Sequence, residues 1–164
     1  MSDGVVPSVV LIFAVVIAAV PWVLPAEASF ILPSLLLIAV FVLTLQRKRK
    51  LPGVSVFAAG LLFDILTAGP MGYWAILFLL TYSVAVQYRI RAGRMEFSWL
   101  WLVFAGTATL AAAAGWGLAS LYFVRIIDWQ PMAIGAAVII AMFPLVAWPI
   151  RHSLGIADQR VFSR

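Results

Sequence analysis

A single acidic residue, Asp64, lies in the middle of an apolar stretch, and its carboxylate is the side chain best suited to a chemical role. Residues 60–72 read GLLFDILTAGPMG. A charged group surrounded by hydrocarbon is costly, and it is usually retained for a function. Asp64 is therefore a candidate for a proton relay, an ion site or a contact to a ligand.

A structural role for Asp64 competes with these chemical roles. The carboxylate can accept hydrogen bonds from Thr67, from backbone N–H groups of the turn at 69–72, or from the start of the next helix. Gly69 and Pro70 suit a sharp hairpin, and we expect Gly69 and Gly72 to need a positive φ or close backbone contact. A relay usually needs several polar groups in series, and no second acid lies within an apolar stretch. We therefore favour the structural role.

The other residue types that carry catalysis are scarce. His152 is the only histidine, it follows the last apolar stretch, and there is no cysteine. A lone histidine cannot form a metal site, and a lone aspartate cannot supply the paired carboxylates of an aspartyl protease. No G-x-S-x-G elbow and no Gly-rich phosphate loop occurs. The sequence therefore predicts a chain that is not an enzyme and binds no cofactor or metal.

Six apolar stretches must position Asp64. Apolar residues make up 65% of the 164 residues and charged residues 10%, and the mean hydropathy is +1.12, whereas soluble domains have about a quarter charged residues. About 20 residues of helix cross the hydrocarbon core. We predict one all-α domain, 1–164, a six-transmembrane-helix bundle with a short third span. The predicted spans are about 5–24, 30–46, 54–68, 71–88, 97–124 and 131–150.

Basic residues predict how this bundle is oriented. Ten of the eleven Lys and Arg follow the second, fourth and sixth stretches, at 47–50, 89–94 and 151–164, and only Arg125 falls on the opposite side. Because cytoplasmic loops carry the excess of Lys and Arg, both termini are expected in the cytoplasm. The basic clusters directly flank the spans, so we expect them to contact anionic lipid and not nucleic acid.

Small residues on the fifth stretch predict close helix packing. The pairs Ala113/Gly117 and Gly115/Ala119 are each four residues apart, so the members of a pair share a helix face, and Gly106 precedes them. Such spacing lets two helix backbones approach closely. The neighbour is either another helix of this chain or the span of a partner protein.

The segment that holds Asp64 also carries a resemblance to a known family. Gly60, Leu61, Asp64, Pro70, Gly72 and Ala75 match the pattern G-L-x-x-D-x-x-x-x-x-P-x-G-x-x-A-L of the MreD family, rod shape-determining proteins of bacterial inner membranes. Pro33 at the start of the second stretch, the basic loop that ends in Pro52, and the Arg-rich loop after the fourth stretch are similar to that family as well.

The resemblance implies a non-catalytic membrane scaffold of the cell-elongation complex that organises peptidoglycan synthesis. MreC is the direct partner that it implies, with MreB, RodA and a class B penicillin-binding protein in the same complex. The residues that we single out in this segment as a structural or functional motif are Gly60, Asp64, Thr67, Gly69, Pro70 and Gly72.

The family's fold is similar to the substrate-binding subunits of energy-coupling-factor transporters, and this likeness supplies an alternative. The chain would then be the small-molecule-binding subunit of a transporter, with an outward-facing cavity lined by several polar side chains. The candidates for that lining are Asp64, Thr67, Trp74, Thr107, Thr109 and Trp116.

Overall fold

The protein is all-α in the part of the chain that the structure describes. A computed structural model describes residues 4–20, 31–46, 50–92 and 95–153. Side chains are described throughout these ranges except at residues 31–32 and 148–153. These residues form six helices and no strand. The helices are α1 (Val5–Ala19), α2 (Ile31–Leu45), α3 (Gly53–Leu66), α4 (Tyr73–Tyr88), α5 (Phe97–Tyr122) and α6 (Gln130–Ser153).

The helices follow the predicted stretches closely, with differences at the ends. α3 and α4 stop short of one another, because residues 67–72 form a turn and not helix. Pro70 lacks an N–H group and Gly72 has a left-handed backbone, so neither continues a helix. The first predicted span reaches residue 24, but α1 ends at Ala19, and residues 21–24 lie outside the described ranges.

Two helical segments are long and apolar enough to cross a membrane, Phe97–Tyr122 and Gln130–Ala147. The other four helices are also apolar but contain only 14 to 16 residues. At about 1.5 Å per residue they extend about 21–24 Å, less than the hydrocarbon core of about 30 Å. Helix length and composition thus identify two candidate spans, and the bundle of six spans remains a proposal.

α2 and α4 are the central helices. α2 packs against α1, α4 and α6, and α4 packs against α2, α3 and α5. The rings of Phe41, Phe104 and Phe143, from α2, α5 and α6, are fully buried, and the centroids of the last two lie 4.3 Å apart. Phe41 meets both rings edge-on, at 5.2 and 5.9 Å. This cluster joins three helices that are distant in sequence.

The end of the bundle opposite the α3–α4 turn is held by polar contacts from α4 and its C-cap residue to the segment between α2 and α3. The Tyr82 hydroxyl donates to the Leu51 carbonyl at 3.2 Å, and Arg89 Nε donates to the Gln46 carbonyl at 3.1 Å. Arg89 thereby satisfies a backbone oxygen at the end of α2. Of the basic cluster at 47–50, only Lys50 lies in the described ranges, and it is exposed.

Candidate functional site

Asp64 lies in the last turn of α3 and faces α4, with only 1% of its surface exposed. Its Oδ2 accepts a hydrogen bond from the Gly72 N–H at 2.9 Å, and its Oδ1 accepts one from the Trp74 N–H at 3.0 Å. One carboxylate therefore spans the turn between α3 and α4. We call this carboxylate with its two N–H donors the hairpin clasp.

The clasp supplies the start of α4 with an acceptor that the helix lacks. The first N–H groups of a helix have no partner within it, and Trp74 is the second residue of α4. Gly72 is the N-cap residue of α4 and has no side chain that could accept a hydrogen bond from these N–H groups. A carboxylate also interacts favourably with the positive end of the helix dipole. Asp64 thus caps α4 from the preceding helix.

Thr67 does not take part in the clasp. Its hydroxyl donates to the Phe63 carbonyl at 2.8 Å, one turn back on its own helix. The sequence suggests three kinds of donor to the Asp64 carboxylate. The structure shows two of them, a backbone N–H group of the turn and one at the start of α4, and Thr67 is not a donor.

The turn between α3 and α4 explains Gly72. The Tyr73 N–H donates to the Pro70 carbonyl at 3.1 Å, which closes a four-residue turn. Gly72, third in that turn, has φ 89° and ψ −7°. These angles are those of the third position of a type II turn, which favours glycine. The expectation of a positive φ therefore holds for Gly72.

Gly69 has a different role from the one expected. The end of α3 is a Schellman motif, in which the Ala68 N–H donates to the Ile65 carbonyl and the Gly69 N–H to the Asp64 carbonyl. The residue with positive φ in this motif is Ala68, at 50°. A Cβ on Gly69 would meet only the Thr67 hydroxyl, at 3.5 Å. The expectation of a positive φ or close contact at Gly69 is therefore wrong.

Gly60 brings the two helices of the hairpin together. A Cβ on Gly60 would lie 2.4 Å from Cα and 2.7 Å from N of Ala75, so only glycine allows the backbones to be this close. Gly60 and Asp64 are four residues apart and share one face of α3. Beside them the rings of Phe63 and Trp74 meet edge-on at 5.4 Å.

The small residues of α5 divide between two faces. Gly115 and Ala119 are buried, and a Cβ on Gly115 would lie 2.8 Å from the Tyr73 hydroxyl of α4. Ala113 and Gly106 are exposed, and nothing lies within 4 Å of a Cβ on Gly106 or Gly117. One pair therefore packs inside this chain, and the other three residues face outward.

Of the groups that a carrier would use for its ligand, only Thr109 and Trp116 share a cavity of ligand size, an open groove of about 460 Å³ between α5 and α6. A cavity of about 40 Å³ lies between α2, α4, α5 and α6, next to the start of α4, with Ser34, Tyr73 and Trp74 in its wall. Such a volume holds about three water molecules. The Thr107 and Thr109 hydroxyls donate to carbonyls of their own helix, and the Trp116 indole donates to the Ile127 carbonyl at 2.8 Å.

Comparisons of this chain with protein-family models, curated proteins and solved structures found no match. The hairpin geometry and the sequence pattern that produces it are therefore the basis for assigning a function.

Proposed function

We propose that this chain is a non-catalytic membrane scaffold of a bacterial inner membrane, of the kind that its resemblance to the MreD family implies. In this proposal all six helices are inserted in the bilayer and both termini are cytoplasmic. The direct partner is an MreC-like protein, and MreB, RodA and a class B penicillin-binding protein belong to the same cell-elongation complex.

The observation that carries this proposal is the hairpin clasp. Both carboxylate oxygens of Asp64 accept backbone N–H groups, and the side chain is buried. A relay or ligand site needs at least one oxygen that can exchange its partner. The one acid within the apolar stretches is instead committed to holding α3 against α4. That arrangement suits a protein whose task is to present a fixed surface.

The clasp also supports insertion of the short helices. α3 and α4 together are a hairpin of helices about 21 and 24 Å long, too short to reach both membrane surfaces. Its turn must therefore sit at or below the outer headgroups, where backbone groups cannot rely on water. Asp64 gives Gly72 and Trp74 an acceptor there, and in the described residues every buried side-chain N or O atom has a partner.

The alternative, a transporter subunit that binds a small molecule, predicts a cavity of ligand size. Binding cavities for ligands of drug size have volumes of about 300–1,000 Å³. An open groove of about 460 Å³ between α5 and α6 lies within that range, with Thr109 and Trp116 in its wall. The polar groups of both residues donate to backbone carbonyls, and Asp64 and Thr67 bond to backbone groups of the hairpin and do not line the groove. This commitment of the polar side chains, and not the volume of the cavities, favours the scaffold over the carrier.

Depletion and rescue in a rod-shaped host test the proposal. Depleted cells are expected to become round and wide, and the tagged chain is expected to co-purify with an MreC-like protein. Gly69→Ala, which the turn can accommodate, is the matched control for Gly72→Val, whose φ of 89° opposes a side chain. The control should restore rods and Gly72→Val should not. Normal rods after complete depletion, with loss of vitamin uptake, would instead identify a carrier.

A further inference from the structure

The end of α5 and the loop that follows it, residues 121–129, expose several large apolar side chains. Val124 is 90% exposed and Ile126 87% exposed, and the side chains around them are also largely outside the core. The other exposed apolar residues of this segment are Leu121, Tyr122, Phe123 and Trp129. Contiguous exposed apolar surface of this kind marks a contact with a membrane or another molecule.

Hydrogen bonds hold this loop in one conformation. α5 ends in a Schellman motif, with the Arg125 N–H donating to the Ser120 carbonyl at 3.2 Å and the Val124 N–H to the Leu121 carbonyl at 3.3 Å. The Trp116 indole N–H then donates to the Ile127 carbonyl at 2.8 Å. The loop therefore presents its apolar side chains outward in a fixed arrangement.

Val124 occupies the position of that motif where glycine is usual. Its φ is 51°, in the left-handed region that β-branched residues avoid. Its side chain gains almost nothing from packing within this chain, because it is almost wholly exposed. Packing within the chain therefore does not account for a β-branched residue at this position, and a contact outside the chain would.

With both termini in the cytoplasm, as proposed above, helix length puts the loop at the outer membrane surface. From Trp101, an exposed aromatic residue near the start of α5, to Leu121 is about 30 Å of helix, the thickness of the hydrocarbon core. Gly115 lies against Tyr73 at the start of α4, so α5 continues about 10 Å beyond that level. The loop thus reaches the outer headgroups while the α3–α4 turn lies below it.

We propose that residues 121–129 insert into the boundary between headgroups and acyl chains of the outer leaflet. Val124 and Ile126 enter the acyl region, Arg125 binds lipid phosphate, and Tyr122 and Trp129 lie at headgroup level. The acid of the loop, Asp128, caps α6, since its Oδ1 accepts the Gln130 N–H at 3.1 Å. A basic side chain between two exposed apolar ones fits a phospholipid surface. This inference rests on the membrane insertion of α5 proposed above.

Single-cysteine labelling tests this, because the chain contains no cysteine. Nitroxide labels on Val124→Cys and Ile126→Cys are compared in phospholipid nanodiscs, by their collisions with oxygen and with a water-soluble nickel complex. Leu102→Cys, on the exposed apolar face of α5, is the lipid-facing control, and Glu96→Cys, exposed before α5, is the water-facing control. Labels at 124 and 126 are expected to match Leu102→Cys, with frequent oxygen and rare nickel collisions.

Three other results would overturn the inference, and they differ in what else they reject. If 124 and 126 match Glu96→Cys while Leu102→Cys is shielded, the loop lies in water although α5 is in the membrane. If shielding at 124 and 126 appears only after an MreC-like protein is added, the loop is a protein-docking surface. If the label at Leu102→Cys itself meets nickel freely, the membrane placement of α5 fails as well.

Discussion

Replacing Asp64 with leucine removes the acceptor for two backbone N–H groups at once. The Gly72 and Trp74 N–H groups bond to the two carboxylate oxygens at 2.9 and 3.0 Å. Leaving a buried N–H group without a partner costs about 1–3 kcal/mol, so the loss is about 2–6 kcal/mol for the pair. Because a domain is typically stable by only about 5–15 kcal/mol, we expect Asp64→Leu to lower the amount of folded protein severely.

Asparagine at this position should give an intermediate result. Its one carbonyl oxygen can accept from one of the two donors, while its NH2 group faces the other donor and cannot accept from it. The expected cost is therefore one lost hydrogen bond, about 1–3 kcal/mol. From the sequence alone, Asp64→Asn should be tolerated because an amide oxygen still accepts. The bidentate geometry instead predicts stability in the order Asp, Asn, Leu.

Three measurements check this order: the level of tagged protein in membranes, the melting temperature of each purified variant in one detergent, and the rescue of rod shape. Met71→Leu, at an exposed position of the same turn, is the control and should match the unchanged chain. An Asp64→Leu variant as stable as that control would refute the clasp. An Asp64→Asn variant that is fully abundant and stable but inactive would assign a titrating or ligand-binding role to Asp64.

Three further predictions concern helix packing, backbone strain and topology. Gly60→Ala places a Cβ about 2.4 Å from the α4 backbone and should lower the level of the protein in membranes. The control Gly106→Ala, with open space around it, should not lower that level. Equal levels of the two variants would contradict the close contact. Ala68→Gly relieves a φ of 50° and should raise stability by about 1 kcal/mol, and a lower melting temperature would count against it. Reporter fusions after residue 50 and at the C-terminus should report cytoplasm and one after residue 27 periplasm, and a periplasmic C-terminus would refute six spans.

The limits of the helices follow largely from local sequence. The basic loop before Pro52 and the segment Gly69-Pro70 interrupt the apolar pattern, and α3 begins and ends beside them. The partners of Asp64 depend on more than local sequence, since Thr67 is closer along the chain than Trp74. Trp74 becomes the donor because Gly60 lets α4 approach α3, and that approach is a property of the packed pair.

Which residue after α3 takes a positive φ depends on where the helix ends. Glycine is the usual residue with positive φ after a helix, which points to Gly69. α3 ends one residue earlier than that rule requires, at Leu66 with Thr67 as its cap, so Ala68 takes the left-handed position. The Asp64 carboxylate must face Gly72 and Trp74, and a longer helix would displace the turn that carries those donors.

The outward face of α5, by contrast, follows from helix geometry. Residues two apart on a helix lie about 200° apart around its axis, so Ala113/Gly117 and Gly115/Ala119 cannot both face the interior. The structure buries the second pair, with Gly115 against α4. The first pair, together with Gly106, is left on the surface, and it is the part of the packing motif that remains accessible to a partner helix.

The spacing of the motif residues from Gly60 to Gly72 matches what a short helical hairpin needs. Gly60 and Asp64 share the face of α3 that meets α4, so close approach and an acceptor come from successive turns. Pro70 and Gly72 form the turn that returns the chain at the depth of the carboxylate. The Gly72, Tyr73 and Trp74 N–H groups all bond to acceptors within the hairpin, and the motif therefore stabilises the hairpin itself. If the chain is the scaffold proposed above, specificity for a partner lies on surfaces outside the clasp, and substitutions on the outward face of α5 test this without disturbing the clasp.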